Sequence, residues 1–294
     1  MTMTNFDKIK EFHAASGLAL ADTPQYNVFE NKKLTDLRVA LIMEEVGELL
    51  DAAKQKDHKE IIDALSDILY VVYGAGASFG IDLNQSLIDR LIRKKMCDPN
   101  NIEGKTTFEI VRERIKDQWT EDGVVIQSTI DYDAMNNDEI AKAMMFPIYK
   151  WTQQLERRVF DKDFEGVQSS LTKILAMVYA VGARFGVDLD KSYDIVHSSN
   201  MTKFCLTEDL AQRTVESYEQ KYQQLKEEHN YPDTGIEEDI KKWQDDLKAR
   251  NINVYDSASY RKSSDGKYFV VFNDSTKKIL KSIEYTPADF ATLL

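Results

Sequence analysis

Along most of the chain, apolar residues recur every three or four positions, which is the spacing of an amphipathic helix. This spacing predicts two trios of helices, at about 35–54, 57–80 and 82–96 and again at about 138–158, 163–185 and 188–200. Thr35, Asp57 and Asp82 are residue types that cap helix N-termini, and Gly80 suits the left-handed residue that follows a helix. The first two-thirds of the chain is therefore predicted to be helical.

The pattern changes in the last third of the chain. A charged helix capped by Thr207 is predicted at about Glu208–Glu228, and Thr234 with Glu237 predicts a capping box for another polar helix that ends near Arg250. Three strand-like segments follow, separated by SSDG and NDST turns, at Val254–Arg261, Lys267–Asn273 and Ile279–Tyr285. A small β-meander is the expected result.

Two stretches of the chain repeat each other. Val72–Leu83 (VYGAGASFGIDL) aligns without a gap with Val178–Leu189 (VYAVGARFGVDL). Helical periodicity constrains only the apolar positions, yet Tyr, Gly, Phe-Gly and Asp-Leu coincide as well. Two helical units, at about 36–98 and 137–204, therefore share one pattern.

This repeat divides the chain into four predicted parts and sets the expected fold class. The parts are a first repeat at 1–98, a helical connector at 99–136, a second repeat at 137–204, and a helical insertion with a small β-rich tail at 205–294. Within the connector, a helix is predicted at about Phe108–Trp119. The expected fold class is mainly α: a helical bundle formed by two fused repeats, with a small C-terminal α+β appendage.

Composition narrows the class of protein. Of the 294 residues 43% are hydrophobic, which is enough for a folded core, and the formal net charge of −12 disfavours nucleic acid and anionic membranes as partners. Cys97 and Cys205 form neither a disulfide framework nor a zinc pattern, and reduced thiols are the default in the cytosol. The N-terminus lacks an apolar signal core, and no run reaches the roughly 18 apolar residues of a membrane span. A cytoplasmic protein is expected.

Five carboxylates lie inside two of the predicted apolar helices. Glu44, Glu45 and Glu48 share a broad face of one helix because of their i,i+3 and i,i+4 spacing, and Glu60 and Asp63 lie three residues apart on the next. Like charges that converge between two helices repel one another unless cations neutralise them, and oxygen-only clusters suit Mg²⁺ or Mn²⁺. The same acids are also compatible with solvated helix faces and with N-terminal capping of the second helix.

The spacing of these acids resembles the motif of the all-α nucleoside triphosphate pyrophosphatases, a superfamily that includes MazG-like proteins, dimeric dUTPases and phosphoribosyl-ATP pyrophosphohydrolases. That motif is two adjacent Glu, a third Glu three residues on, and a Glu-x-x-Asp after a variable gap. Five longer segments also resemble the family, in family order: Phe12–Pro24, Arg38–Ala52, Asp63–Leu83, Val196–Lys203 and Lys278–Phe290.

The resemblance implies an all-α fold with a divalent-metal site. It implies that Mg²⁺ or Mn²⁺ is held directly by Glu45, Glu48, Glu60 and Asp63. Glu44 is then the candidate that orients or deprotonates the attacking water, or that helps to hold a further ion. The number of metal ions stays open.

The downstream segments of the resemblance imply contacts to a nucleotide. Asn200 is the candidate that reads a sugar or base edge, and Lys203 is the candidate that faces phosphate. Lys281 and Tyr285 lie in a tail segment that packs back toward the site in similar proteins. Considered alone, these positions are also compatible with a polar helix end and an ordinary β-strand. His197 is interpreted as a surface or capping side chain.

Each repeat contains only one part of the family pattern: the first has the acids, and the second has the downstream segment. At the positions aligned with the five acids, the second repeat has Lys150, Trp151, Gln154, Gly166 and Ser169. Where the second repeat reads HSSNMTK, the first reads LIRKKMC. We therefore expect a fused pseudo-dimer with one working site and no divalent site in the second repeat. A monomeric pseudo-dimer and a homo-oligomer are equally compatible with this arrangement.

The expected function is hydrolysis of a nucleoside triphosphate, with ribose or deoxyribose, to the monophosphate and pyrophosphate. Nucleotide-pool sanitation or dUTP control is the role that the resemblance implies. Two alternatives stay open: a nucleotide-binding regulator without turnover, and a helical interaction scaffold without a ligand. Metal-dependent turnover separates the enzyme from both, and nucleotide binding separates the regulator from the scaffold. The absence of a Glu-x-x-His pair from the sequence disfavours a di-iron carboxylate bundle.

Overall fold

The computed structural model describes residues 3–94, 97–115, 119–121, 124–126 and 136–293. The chain divides into two compact units, each with its own internal contacts. The first, which we call the bundle unit, comprises Met1–His13, Leu18–Ser198 and Ala288–Leu294. The second, which we call the appendage unit, comprises Ala14–Gly17 and Ser199–Pro287.

Helices dominate the first two-thirds of the described chain, as the apolar spacing predicts. They are α1 Asn5–Ser16, α2 Lys32–Gln55, α3 His58–Phe79, α4 Leu83–Arg93, α5 Thr107–Ile115, α6 Asn137–Phe160, α7 Phe164–Arg184 and α8 Leu189–Met201. Short 3-10 turns lie at Val28–Glu30 and Pro99–Asn101. The mainly α fold class is confirmed.

The predicted helix in the connector is wrong at its C-terminal end. Trp119 does not lie in a helix; it begins β1 (Trp119–Glu121), which pairs antiparallel with β2 (Val124–Ile126) in the register Trp119↔Ile126. The β-branched residues Thr, Val and Ile in these segments favour strands over helices. Residues 116–118 of the prediction lie outside the described residues.

The start of α2 is also earlier than predicted. Asn31 is the N-cap, and its side chain accepts a hydrogen bond from the Leu34 amide at 3.1 Å. Thr35 lies inside the helix, where its hydroxyl donates to the Lys32 carbonyl at 3.0 Å. Both residue types can cap, and the helix begins at the first of them. The predicted end of the third helix, Met96, lies outside the described residues, and α4 ends at Arg93.

The core of the bundle unit is centred on α2, α3, α6 and α7, and residues of α1, α4, α5 and α8 pack into it. α2 packs against α3 and α6, α6 packs against α7, and α3 packs against α7. From Ile61 to Phe79, every residue of α3 is buried except Asp63, Asp67 and Val71. α3 therefore has a partner on every side, and its burial depends on helices from both halves of the chain.

α3 is also long and apolar enough to cross a membrane. Its 18-residue window has a mean hydropathy of 1.3. Asp63 and Asp67 interrupt the apolar residues of this helix. In the fold, 83% of that window is buried. α7 and α8 pass the same test only as a pair, and that pair is bent by 110°. Packing in the bundle accounts for the apolar character of α3.

The α2–α3 and α6–α7 junctions have the same local geometry. Lys56 and Lys162, which the repeat aligns, both adopt left-handed conformations, with φ of 54° and 56°. The next residue in each case, Asp57 or Asp163, is the N-cap of the following helix. Each junction is therefore a tight reversal between two antiparallel helices.

A tyrosine pair joins equivalent positions of the two halves. The Tyr73 hydroxyl donates to the Asn84 side chain at 2.7 Å, and the aligned Tyr179 hydroxyl donates to the aligned Asp190 carboxylate at 2.8 Å. The two hydroxyls lie 3.4 Å apart. The correspondence in sequence between these segments thus extends to their hydrogen bonds.

Replacing Gly80 with alanine should destabilise the protein much more than replacing the aligned Gly186. Gly80 has φ of 71° and a Cβ there would lie 1.8 Å from the Thr23 carbonyl oxygen, whereas the aligned Gly186 has φ of 73° with nothing within 4 Å. Both Gly→Ala changes should cost about 1–2 kcal/mol for the left-handed backbone, but only Gly80→Ala adds a backbone clash. Thermal unfolding should show a much larger loss for Gly80→Ala, and equal losses would contradict this.

The appendage unit joins two helices to a small sheet. α9 spans Glu208–Glu228 with Thr207 as N-cap, as predicted, and α10 spans Glu237–Ala249. β3 (Ala258–Lys262) pairs antiparallel with β4 (Phe269–Asn273). Its core consists of Cys205, Leu210, Ala211, Val215, Ala258, Val271 and Leu280.

Two predictions for the appendage unit are wrong. The third strand is reduced to a bridge between Phe272 and Ile279, because the Ser282 amide pairs with the Lys203 carbonyl at 3.1 Å instead of continuing along β4. The N-cap of α10 is Ile236, which makes no side-chain cap. Thr234 does not form the predicted capping box; its hydroxyl donates to the Asp239 carboxylate at 3.0 Å.

Candidate functional site

The reversal between α2 and α3 brings most of the predicted acids to one pocket in the bundle unit. The pocket has a volume of about 290 Å³, and its polar lining consists of Glu48, Asp51, Gln55, Asp57, Glu60 and Asp63. Three of the five predicted acids line it. Asp51 was missed in the sequence, although its spacing of three residues from Glu48 was the available signal.

The pKa of Glu45 responds to the charges of three other predicted acids. Its partial burial, followed by the charges of Glu48, Glu44 and Asp63, raises its pKa from 4.5 to about 7. An acid on α2 and an acid on α3 therefore repel each other across the hairpin. The acids are close enough to act as one electrostatic group.

Asp63 shows the same effect from the α3 side. Burial raises the pKa of Asp63, the charges of Glu60 and Glu48 raise it further, and the Lys59 ammonium opposes them. Glu48 contributes to the raised pKa of both Glu45 and Asp63. It is therefore the central charge of the group.

The donor set of this pocket fits a hard divalent cation in kind. All of the candidate ligands are carboxylates, and oxygen donors suit Mg²⁺ or Mn²⁺. Across the described part of the chain, no set of three or more His, Cys, Asp or Glu side chains is arranged to hold a metal ion.

Glu45→Gln is expected to raise the melting temperature in EDTA at about pH 8, by about 2–4 °C if solvent screening leaves roughly 1 kcal/mol of the penalty. The folded pKa of about 7 exceeds the ordinary value of 4.5. The ionised Glu45 carboxylate therefore lowers the free energy of unfolding. This loss is absent at pH values well below the ordinary pKa of 4.5, grows as the pH rises, and is complete above the folded pKa of about 7.

Calorimetry of the Glu45→Gln variant between about pH 4.5 and 8 tests this, since the gain should shrink to nothing at the acid end. Glu156→Gln, at an exposed position on α6, is the control. A lower melting temperature for Glu45→Gln at the alkaline end would show that the like-charge argument is wrong.

The equivalent region of the second half is positively charged. The Trp151 ring, at the position aligned with Glu45, has the Lys150 ammonium 4.8 Å and the Lys173 ammonium 3.9 Å from its centre. Lys150 is aligned with Glu44. Fixed ammonium groups thus stand where the first half has carboxylates.

Gly166, at the position aligned with Glu60, has no room for an acid. A Cβ there would lie 2.2 Å from a carboxylate oxygen of Asp163 and 2.6 Å from Cδ of Arg158. Asp163 caps α7 by accepting from the Gly166 amide and pairs with Arg158 at 2.8 Å. Restoring a glutamate at this position would disrupt that arrangement.

The other four predicted site residues lie in the appendage unit and are brought together there. The Lys203 ammonium donates to the Asn200 side-chain oxygen. The Lys281 ammonium lies 4.1 Å from the centre of the Tyr285 ring. The tail joins the end of α8 through the Ser282 amide, which donates to the Lys203 carbonyl at 3.1 Å.

Two hydroxyls that the sequence did not single out fix this tail. The Ser199 hydroxyl donates to the Thr286 carbonyl at 2.9 Å and contacts the Tyr285 hydroxyl at 3.4 Å. The Thr286 amide donates to the Thr202 hydroxyl at 3.0 Å. Ser199 and Thr202 both belong to the HSSNMTK segment, and their place in that segment is the sequence feature that could have identified them.

The interpretation of His197 as a surface or capping side chain is wrong. His197 is 9% exposed, and its ring lies 3.3 Å from the Tyr70 hydroxyl and 3.4 Å from the Glu11 carboxylate. Burial lowers its pKa, and the bond to Glu11 opposes that shift. These partners are distant in sequence, and local pattern does not reveal them.

The helical bundle and its acidic hairpin point to a class of protein, which comparison with known proteins identifies. The family model of phosphoribosyl-ATP pyrophosphohydrolase matches residues 9–95, which include all five predicted acids. This match identifies residues 9–95 as similar to the all-α nucleoside triphosphate pyrophosphatase superfamily. It supports a pyrophosphohydrolase-like activity on nucleotides, in the class of hydrolases that act on acid anhydrides.

A relative in Acanthamoeba polyphaga mimivirus, described as uncharacterized protein L479, is similar over nearly the whole chain. The two are 32% identical over 292 residues, which is 99% of this chain and 96% of the relative. The similarity therefore extends beyond residues 9–95 and through the appendage unit. No solved structure matches the chain.

Proposed function

We propose that this protein is a metal-dependent nucleoside triphosphate pyrophosphohydrolase that cleaves between the α and β phosphates. The observation that carries the proposal is the acidic pocket on the α2–α3 hairpin, which lies within residues 9–95 of the family match. The products would be a nucleoside monophosphate and pyrophosphate. Nucleotide-pool sanitation, including dUTP control, is the cellular role that suits such a reaction.

Four carboxylates would hold Mg²⁺ or Mn²⁺: Glu45, Glu48, Glu60 and Asp63. When bound, such ions neutralise charge on the phosphates and lower the pKa of coordinated water. Glu44, an exposed neighbour on α2, would orient the attacking water or accept its proton. Asp51 lines the same pocket and would add negative charge at its edge.

We also propose that the chain is a fused pseudo-dimer whose second half has lost its metal site. The matched junctions at Lys56 and Lys162 and the paired hydroxyls of Tyr73 and Tyr179 support this. The ammonium groups around Trp151 support the loss of the second site. One half would supply the acids, and the other would complete the bundle around α3.

For the nucleotide, the proposed contacts are Asn200, Lys203, Lys281 and Tyr285. Lys203→Ala should raise KM for the triphosphate by about tenfold or more, since a hydrogen bond to a charged group contributes about 1.5–3 kcal/mol. Lys203→Arg should recover part of the loss, because it keeps the charge. Steady-state kinetics measures both variants.

Lys191→Ala is the matched control for Lys203→Ala, because Lys191 is exposed on α8 and pairs with Asp188 instead. Its KM should stay at the wild-type value. If Lys203→Ala and Lys191→Ala gave the same kinetics, Lys203 would have no role in binding the substrate.

The experiment that tests the proposed activity is a panel of ribo- and deoxyribonucleoside triphosphates with Mg²⁺ or Mn²⁺, with released pyrophosphate as the signal. We expect pyrophosphate from at least one substrate, only with the metal present. Tight binding of a triphosphate without turnover would instead make the protein a regulator. Neither binding nor turnover would leave a structural scaffold.

A further inference from the structure

A second pocket lies in the appendage unit, outside the family match, and its lining contains none of the residues proposed above for nucleotide contact. Its volume is about 410 Å³, and its lining combines three tyrosine rings with charged and amide side chains. One wall is α9, and the other is the segment that precedes β3. A pocket of this size lies in the range that holds one small ligand.

The tyrosine rings are held in place by neighbours. The rings of Tyr218 and Tyr255 meet edge to face with centres 5.5 Å apart, and the Tyr218 hydroxyl donates to the Lys281 carbonyl at 3.1 Å. Tyr222 packs against the Trp243 ring at 6.3 Å. All three tyrosines are only partly buried, so a planar ligand can reach them. Aromatic side chains stack with any nucleobase.

The polar groups of the pocket suit a phosphorylated ligand with a base. Lys221 belongs to the lining, and its ammonium lies 5.1 Å from the centre of the Tyr218 ring. Lys278 lies outside the lining, with its ammonium 5.9 Å from the centre of the Tyr255 ring. Two amide side chains in the lining, Gln224 and Asn253, each offer donors and an acceptor to a base edge. Glu228, also in the lining, can accept from an exocyclic amine.

The volume of the pocket and the net charge of the protein favour a small phosphorylated ligand over a nucleic acid. The net charge of −12 disfavours a long nucleic acid, whose affinity comes mainly from phosphate contacts. A ligand with one phosphate needs only the local ammonium groups. A base without a phosphate would make no use of Lys221 or Lys278, and a phosphate without a base would make no use of the tyrosine rings. A ligand with both groups uses all of these side chains.

We propose that this pocket binds one nucleoside monophosphate, with the base on the rings of Tyr218, Tyr222 and Tyr255 and the phosphate at Lys221 and Lys278. The site is independent of the acidic pocket and requires no metal. It gives the insertion that carries α9 a function as a nucleotide sensor.

Equilibrium dialysis of the full chain carrying Glu48→Gln, in EDTA, tests the site without a contribution from metal at the acidic pocket. The probes are AMP, GMP, CMP and UMP, with ribose 5-phosphate and inorganic phosphate for comparison. We expect saturable binding of at least one nucleotide, with one molecule per chain, and weaker binding of both comparison probes. Equal binding of inorganic phosphate, or no saturable binding of any nucleotide, would overturn the proposal.

Variants place that binding in the pocket. Lys221→Glu, an exposed change on α9, and Tyr255→Leu should each weaken binding by about tenfold or more. Lys242→Ala, on α10 and paired with Glu238, should leave it unchanged. Unchanged binding in Lys221→Glu would place the nucleotide elsewhere and overturn the assignment. Because these measurements involve no turnover, their failure would leave the proposed activity standing.

Discussion

Glu48→Gln is expected to lower metal-dependent pyrophosphate release by about 100-fold or more, since bound metal supplies several kcal/mol of transition-state stabilisation. Glu48 lines the acidic pocket, and its charge raises the pKa of both Glu45 and Asp63. Replacing it with an amide removes one charged ligand from the centre of the group. Initial rates over a range of Mg²⁺ concentrations measure the loss.

The control for Glu48→Gln is a change at the aligned position of the second half. Gln154 on α6 should tolerate Gln154→Ala with little loss of rate, because the second half has Lys150, Trp151, Gly166 and Ser169 at the positions aligned with the other four acids. Circular dichroism should show both variants folded. Near-normal turnover by Glu48→Gln would mean that the acidic pocket is not the catalytic centre.

The second large effect is expected from dividing the chain. Residues 1–136 expressed alone should be inactive and prone to aggregate. α2 would lose α6, and α3 would lose α7, which together cover the apolar sides of the hairpin. An exposed apolar surface of that extent drives association. Size-exclusion chromatography and the pyrophosphate assay report both properties.

Co-expression of the two halves is the matched experiment. Residues 1–136 and 137–294 together should form a complex and recover part of the activity, since the contacts between α2 and α6 are noncovalent. Full activity from residues 1–136 alone would be incompatible with the fused pseudo-dimer.

Where capping residues agree with apolar spacing, the sequence predicts the fold closely. Asp57 and Gly80 bound α3, and Thr207 opens α9, because each supplies a hydrogen bond or a left-handed residue that the helix end needs locally. The acidic hairpin follows from the same reasoning. Its acids lie on two helices separated by a tight turn, so their spacing along the chain determines their proximity.

Features that depend on distant partners are less predictable. The third strand is lost because Ser282 pairs with Lys203, far away in sequence, and His197 is buried through Tyr70 and Glu11. Asn31 and Thr35 are both good caps, and local chemistry does not choose between them. The tyrosine-lined pocket has no sequence motif, because its two walls meet only in the folded chain.

The most direct test of the proposed activity is hydrolysis of the preferred triphosphate with Mg²⁺ in ¹⁸O-enriched water, followed by mass spectrometry of the products. Attack at the α-phosphorus predicts that the label enters the nucleoside monophosphate, with one unlabelled pyrophosphate released for each monophosphate formed. Label in pyrophosphate, or release of a nucleoside diphosphate and orthophosphate, would contradict it.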